Sequence, residues 1–562
     1  MKQLLLSFFV LGSLVSYSQQ QYPKYQPPLN IPLYLSGTFA ELRSNHFHSG
    51  IDIRTQGVEG KPVFAIGDGY VSRIAVSPFG FGKAIYVNHP EGYTSVYGHL
   101  QGFSPEIEAY VKQEQYRQKS FAVNLYLKAD QFQLKAGQQL GLSGNSGSSG
   151  GPHLHFEIRD AATQEPMNPL YFGMQMKDYI RPAISHFAVY PLDDTSVVEQ
   201  KFESLYLPVQ GWGEQHRVAD NQPIKAFGSF AFGIAVIDQH NDTPNKNGVY
   251  SIRLLRDSTV LFEVIADRFS FNETRYINSY VDYAHYQTNK KRLVKTAADP
   301  FNKLRLYEKS NGIVQLKAGD TIQLKFEVLD FHKNRSLLPF TMIGVEPDTS
   351  LKKAMPSGIL VKAGNSFSLE SENFKLDIPN DAFYKHEYLV VSSEKDNTTG
   401  KEIFQLGDLT IPVHKAYKLA VKPPDFKQPE KLYIAYLDEK NETSAVKTKL
   451  DKGFLTAEPR IMGRFTVLAD TIKPKVSLVN FGQPKSVSGL KVLKIRIEDE
   501  ETGVDSYTAT LNGEWLLMEF DAKNDLLIYK VDERFKKGEN NFRIEVADQV
   551  GNQTVKEVKL LN

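Results

Sequence analysis

The chain has 562 residues, of which 41% are hydrophobic and 23% charged, too many for one hydrophobic core, since cores stop growing at roughly 250–300 residues. Its 66 Lys and Arg offset 65 Asp and Glu, so it lacks the basic excess of a nucleic-acid-binding protein, and no nucleic-acid partner is expected. With no cysteine, disulfide frameworks, cysteine nucleophiles and thiolate metal sites are excluded, and any metal must be held by His, Asp or Glu.

The chain begins with Lys2 and an apolar run from Leu4 to Val15, interrupted by Ser7, Gly12 and Ser13, before the small residues Ser16 and Ser18. This pattern predicts a signal peptide over 1–18 and export to the periplasm or cell envelope. The run is shorter than the ~20 residues a membrane span needs, so no stable span is expected in the mature protein. A Pro-rich lead-in over 22–30 precedes a Gly-rich segment, 31–178, with short β-like runs at Pro62–Ile66, Tyr70–Ala75, Ala84–Val87 and His153–Ile158. One helix is expected over 104–119, with Ser104 as N-cap, Pro105 in its first turn, and an apolar stripe of Ile107, Tyr110 and Val111.

The remainder contains a repeat. Ile180-Arg181-Pro182-Ala183-Ile184-Ser185 is echoed by Ile472-Lys473-Pro474-Lys475-Val476-Ser477. Asp238 before Gly248-Val249 matches Asp499 before Gly503-Val504, and Asp330 with Asn334 matches Asp548 with Asn552. Alternating runs such as Val492–Ile497 and Phe542–Val546 point to two β-sandwiches over 180–347 and 472–562, which resemble immunoglobulin-like modules of bacterial surface proteins. Between them, 348–468 is strand-rich (Tyr388–Ser392, Lys431–Tyr436) and of unassigned fold. The whole is expected to be mainly β, with the trailing modules serving as spacers or as platforms for an envelope protein partner.

Four of the 13 histidines sit in three tight contexts: His48-Ser49-Gly50-Ile51-Asp52, Tyr97-Gly98-His99-Leu100, and His153-Leu154-His155-Phe156-Glu157 after a glycine-rich run. In a strand, residues two apart face the same way, so His153 and His155 project from one face while Leu154 and Phe156 face a core. A catalytic zinc needs about three N/O ligands and an open position. His48, Asp52 and His155 supply three, leaving two imidazoles beside the open position. His46 rivals His48, but only His48 has Asp52 four residues on. The glycine-rich run lacks the lysine of a phosphate-binding P-loop. Singly, a His-x-His or a His-x-x-x-Asp is uninformative; their joint order is specific.

Over about 35–172 the sequence resembles the lysostaphin-like (LytM-type) zinc endopeptidases of peptidase family M23. The resemblance runs through Asn45–Ile53, Gly60–Ala65, Gly67–Val71, Tyr97–Leu100, Lys135–Gln138 and Gly150–Glu157. It implies a small antiparallel β domain that hydrolyses peptide bonds of bacterial cell-wall peptidoglycan. It also implies zinc held by His48, Asp52 and His155, with His153 as general base and His99 orienting the water or stabilising the oxyanion. One departure is an insertion at about 102–134, which could narrow substrate choice, dock the trailing domains or act as a lid. The alternative function is a non-catalytic envelope protein that binds peptidoglycan or activates another hydrolase.

Overall fold

The computed structural model describes residues 21–307, 311–481 and 489–562, so the signal-peptide reading over 1–18 lies outside the described residues. The front of the chain is built from short strands: β1 (Leu35–Gly37), β2 (Ile51–Arg54), β3 (Pro62–Phe64), β4 (Gly69–Val76), β5 (Lys83–Asn88), β6 (Tyr93–Gly98) and β7 (Leu100–Phe103). Helix α1 (Pro105–Gln118) follows, then β8 (Val123–Tyr126), β9 (Gln133–Leu134), β10 (Gln139–Ser143), β11 (His153–Asp160) and β12 (Pro166–Met167). The main antiparallel sheet has the order β1-β2-β11-β6-β5-β4-β8, with β12 on β11 and β9 on β4; β3, β10 and β7 form a smaller sheet beside it.

The alternation in β11 decides its placement. Leu154, Phe156 and Ile158 are fully buried in a core shared with Ile51, Ile53, Val71, Ile85 and Tyr97. Each such side chain withdrawn from water contributes about 1.5–3 kcal/mol. A one-residue slip would put this row outside and the histidines inside, so the apolar face locks the register of the polar one.

Helix α1 starts at Pro105, as the sequence predicts, although Ser104 makes no side-chain cap, and buries Ile107, Val111 and Gln115. The segment after it forms β8, with Val123 and Leu125 buried and Asn124 and Tyr126 exposed, and adds to β4 at the sheet edge. Of the roles open to the insertion, docking is the one its contacts display. Lys112 pairs with Asp532 at 2.7 Å, the Arg534 guanidinium lies 3.8 Å over the Tyr116 ring, and Trp515 meets Tyr116 edge-on at 5.4 Å.

Three further cores follow. In the first, strands Ala183–Pro191, Leu205–Trp212, Gln215–Val218, Arg335–Gly344 and Ile224–Ile237 pair in succession and close back on the first. Thr321–Leu329, Ser251–Arg256 and Thr259–Ile265 extend this ring outward from Arg335–Gly344. The segment that follows has two five-stranded sheets around Phe374, Phe404, Tyr417 and Phe465. Here the run 388–392 is split, with Glu387–Leu389 and Val391–Lys395 in different sheets. The last segment packs two four-stranded sheets over Ile495, Leu527, Ile544 and Leu560. No helix among the described residues is long and apolar enough to cross a membrane.

The front domain does not close on itself. Phe39 and Phe47 are buried in the core of the following module, where Phe47 meets Phe269 at 5.5 Å and Tyr280 at 5.7 Å. The loop carrying His48 is therefore seated on its neighbour.

Candidate metal centre

Strand pairing brings the site together. In the ladder between β11 and β2, His155 lies opposite Asp52; on its other side, in the ladder with β6, it lies opposite Gly98, one residue before His99. Residues a hundred positions apart thus become cross-strand neighbours. His48 enters from the loop before β2, held by hydrogen bonds from its N–H to the Glu41 carbonyl and from the Ala40 N–H to its own carbonyl.

The three side chains converge. His48 Nε2 is 3.1 Å from Asp52 Oδ1 and 3.1 Å from His155 Nδ1, and His155 Nδ1 is 3.0 Å from Asp52 Oδ1. Their outward atoms are already engaged. His48 Nδ1–H donates to the Thr38 carbonyl at 2.7 Å, His155 Nε2–H donates to Glu157 Oε1 at 2.9 Å, and Arg43 donates to Asp52 Oδ2 at 3.2 Å. These outward bonds fix the tautomers, so two imine lone pairs and a carboxylate oxygen face one another. Three acceptors this close repel unless a cation lies between them. A zinc-sized ion with ligands at 2.0–2.1 Å sets ligand atoms about 3.3 Å apart in a tetrahedron, with a fourth position open, and this donor set fits.

The electrostatics agree. Burial opposes charge on His155, yet hydrogen bonds to Asp52 and Glu157 raise it to about 9. Burial would push Asp52 up, but His48, His153 and His155 hold it well below the carboxylate range. Glu157 is buried too, and Arg159 with His155 brings it down to about 2. Acceptor atoms arranged to hold a proton on His155 are arranged to hold a metal ion in its place.

His153 and His99 flank this group. His153 Nδ1–H donates to the Gly151 carbonyl at 2.8 Å, and its Nε2 stands 3.4 Å from Asp52 Oδ1. His99 Nδ1–H donates to the Ser146 carbonyl at 2.8 Å, its ring centre 4.8 Å from that of His153. His99 has φ +57°, a left-handed conformation that costs a non-glycine residue of order 1 kcal/mol and recurs at functional sites. Burial first, then the neighbouring His155 and His153, lower it to about 3, so it is neutral at physiological pH. His46, the rival ligand, is exposed, bonded to the Ser44 carbonyl and outside the group.

Two glycines are required here by space. A Cβ on Gly37 would lie 2.5 Å from Asp52 Oδ2, and one on Gly82, already at φ +63°, would lie 2.5 Å from the Ser146 backbone. The second contact lets the 77–82 loop bring Phe81 over His155, ring centres 4.6 Å apart. From the far end of the chain, Lys523 Nζ donates to the carbonyls of Asn145 and Ser149 in the glycine-rich loop.

Sequence reasoning missed Glu157, Thr38 and Phe81. Glu157 was findable, because the period of two that pairs His153 with His155 puts it on the same face. Thr38 and Phe81 act through a backbone carbonyl and a loop approach, which leave no mark in residue type.

A buried His-Asp-His group on an antiparallel β domain defines a metal-binding site of the kind metallopeptidases use. The comparisons agree: residues 46–116 match the model of peptidase family M23, and the chain carries an M23 domain of LytM/lysostaphin type. A second match, residues 359–470, is to the Zu5-like domain, which covers the strand-rich segment left unassigned by sequence. An uncharacterized metalloprotease of Haemophilus influenzae is 33% identical over 123 residues, 22% of this chain and 20% of that protein. The DD-carboxypeptidase/endopeptidase Mpg of Neisseria meningitidis is 29% identical over 147 residues, 26% of this chain and 27% of its own. The matches thus span about a quarter or less of these relatives. The catalytic domain of the antimicrobial peptidase lysostaphin from Staphylococcus simulans aligns at 23% identity over 28% of this chain and 90% of that one, with a TM-score of 0.18.

Proposed function

We propose that the front domain is a zinc endopeptidase that hydrolyses peptide bonds of bacterial cell-wall peptidoglycan. In this reading His48, Asp52 and His155 hold the metal, His153 is the general base and His99 orients the attacking water. The observation that carries it is the convergence of three lone-pair atoms within 3.1 Å while their outward nitrogens are bonded away. Zinc, when bound, supplies a Lewis acid that polarises the scissile carbonyl and lowers the pKa of a coordinated water from 15.7 to about 7.

The chain's own groups do the rest. His153, with Nδ1–H committed to Gly151, presents the Nε2 lone pair to take a proton from water and return it to the leaving amine. His99 shares that tautomer through Ser146, so its Nε2 accepts from a water O–H and fixes the direction of attack. The oxyanion role suits it less, because a neutral imidazole bonded this way has no second N–H to donate. The peptidoglycan substrate is supported by the family resemblance and by the Mpg relative's description. The apolar N-terminus supports export to the periplasm or cell envelope.

The test is mass spectrometry of purified peptidoglycan fragments after incubation with the zinc-loaded full chain. New peptide termini, absent after chelation, are expected. Zinc bound with every fragment intact would sink the endopeptidase and favour a non-catalytic protein that binds peptidoglycan or activates another hydrolase.

A further inference from the structure

A second group of metal-ligand type lies where the front domain joins the next module. Asp178, Asp238 and His240 are buried together, with the Asp178 side chain 0% and that of Asp238 2% exposed. Buried carboxylates normally find donors, and here two oxygens do not. Asp178 Oδ2 and Asp238 Oδ1 have no hydrogen-bond partner among the described residues. Around Asp178 Oδ2 the nearest basic atoms stand off, with His240 Nε2 at 4.0 Å and His332 Nδ1 at 3.9 Å. His240 Nε2 is 3.3 Å from Asp238 Oδ2.

The two gaps to Asp178 Oδ2 are too long for hydrogen bonds. The 3.3 Å gap between His240 and Asp238 matches the separation of about 3.3–3.6 Å between tetrahedral ligands at 2.0–2.2 Å, so an ion seated here would draw Asp178 in by a few tenths of an ångström. A cavity of about 20 Å³, lined by Asp178, Asp238, His240 and His332, adjoins the group, room for one ion or water. Asn247 bonds His240 Nδ1 at 3.1 Å. With its amide turned by 180°, Asn247 Oδ1 accepts from Nδ1–H, and the Nε2 lone pair faces both carboxylates.

The sequence repeat sharpens this. Asp178, Asp238 and Asp330 correspond to Asp470, Asp499 and Asp548 in the last module, and both copies keep the same brace: Asn334 spans Asp330 and the Asp178 carbonyl, as Asn552 spans Asp548 and the Asp470 carbonyl. In the last module the Thr502 hydroxyl donates to Asp470 Oδ2 at 2.7 Å. In the first copy no such donor reaches Asp178 Oδ2; a longer loop brings an imidazole instead.

We propose that Asp178, Asp238 and His240, with His332 at the rim, form a second divalent-cation site, structural in kind and suited by its N/O donors to a zinc-class ion. Its position gives it a purpose. Gly248, next to Asn247, donates its N–H to Thr38 Oγ1 at 2.9 Å, and the Thr38 carbonyl orients His48. An ion here would brace the junction that sets the first site.

The test is metal content per chain after full-length protein is stripped, reloaded with zinc and dialysed, together with thermal melting. Wild type is expected to hold two zinc ions, and Asp238→Asn one. His155→Ala is expected to hold one, and each variant to show a smaller zinc-dependent rise in melting temperature than wild type, the part left being that of the site it keeps. Metal-free Asp238→Asn is expected to melt no lower than wild type, since the change removes one of two buried like charges; His240→Gln serves where that variant fails to fold. One zinc in wild type, retained by both Asp238→Asn and His240→Gln, overturns the proposal. Zinc lost from Asp238→Asn but unchanged in His155→Ala would instead overturn the first site and leave this one standing.

Discussion

The His48/Asp52/His155 group and the Asp470/Asp499/Asp548 group of the last module are both buried clusters of potential ligands. They differ in where the donors point. In the last module the donors face inward: Thr502 Oγ1 bonds Asp470, the N–H groups of Thr502 and Gly503 bond Asp499, and the Asn552 amide bonds Asp548. In the front domain they face outward, to Thr38, Glu157 and Arg43, leaving acceptors against acceptors. The last-module cluster is complete as protein; the front-domain cluster keeps lone pairs that a cation would satisfy. Residue type alone does not separate a ligand set from a turn brace, whereas the direction of the hydrogen bonds does.

The comparison breaks first at His155. Replacing it with Ala removes a ligand and the bond to Glu157, so zinc and cleavage should be lost together. The rate should fall by about 10³-fold or more, since the metal supplies several kcal/mol of transition-state stabilisation. Metal analysis beside a peptide-cleavage assay reads both, and full activity without zinc would end the metal reading. His153→Ala should separate what His155→Ala joins. Its Nδ1 is tied to Gly151 and its Nε2 faces the site without belonging to the closest three atoms. Zinc content should hold while kcat drops by about 10²–10⁴-fold, the usual worth of a general base. A variant with wild-type kcat would remove His153 from the chemistry.

Glu157→Gln probes the outward bonds themselves. The amide keeps the shape but loses the charge that accepts from His155 Nε2–H, Ser49 and Arg159. Such partners are worth about 10–100-fold in metal affinity. Competition against a chelator should show that loss, with kcat at saturating zinc changed far less. An unchanged affinity would mean that the tautomer of His155 is set without Glu157.

Much of this was legible from residue order. Period-two alternation in His153–Ile158 gave the strand, its buried face and the shared face of two histidines, because a strand's geometry is local. The helix at Pro105 was legible for the same reason. The opposition of Asp52 and His155 was legible only through the family resemblance, since a ladder between residues a hundred apart is a tertiary fact. The seating of Phe39 and Phe47 in the next module was not legible at all. Two aromatics in a β domain read as its own core, and nothing local says whose core they enter. The closure of the ring over 180–347 escaped for a like reason: the parallel pairing of Gln215–Val218 and Ile224–Ile237 with Arg335–Gly344 joins segments over a hundred residues apart.

The smallest expected effect tests the other half of the comparison. Thr502→Val keeps the volume but takes away the hydroxyl that Asp470 Oδ2 accepts from, at a residue 3% exposed. A buried carboxylate oxygen left without a donor costs about 1–3 kcal/mol. Burial, with the charges of Asp470 and Asp548, already pushes Asp499 up, so the cluster has little room for another uncompensated charge. Urea unfolding followed by tryptophan fluorescence reports on this module, because Trp515 lies within it and Trp212 is 92% exposed. The transition should move to lower urea with zinc content unchanged. If the urea transition of Thr502→Val stayed where the wild type's is, the inward hydroxyl would not be what completes this cluster, and direction of hydrogen bonds would not be what distinguishes the two.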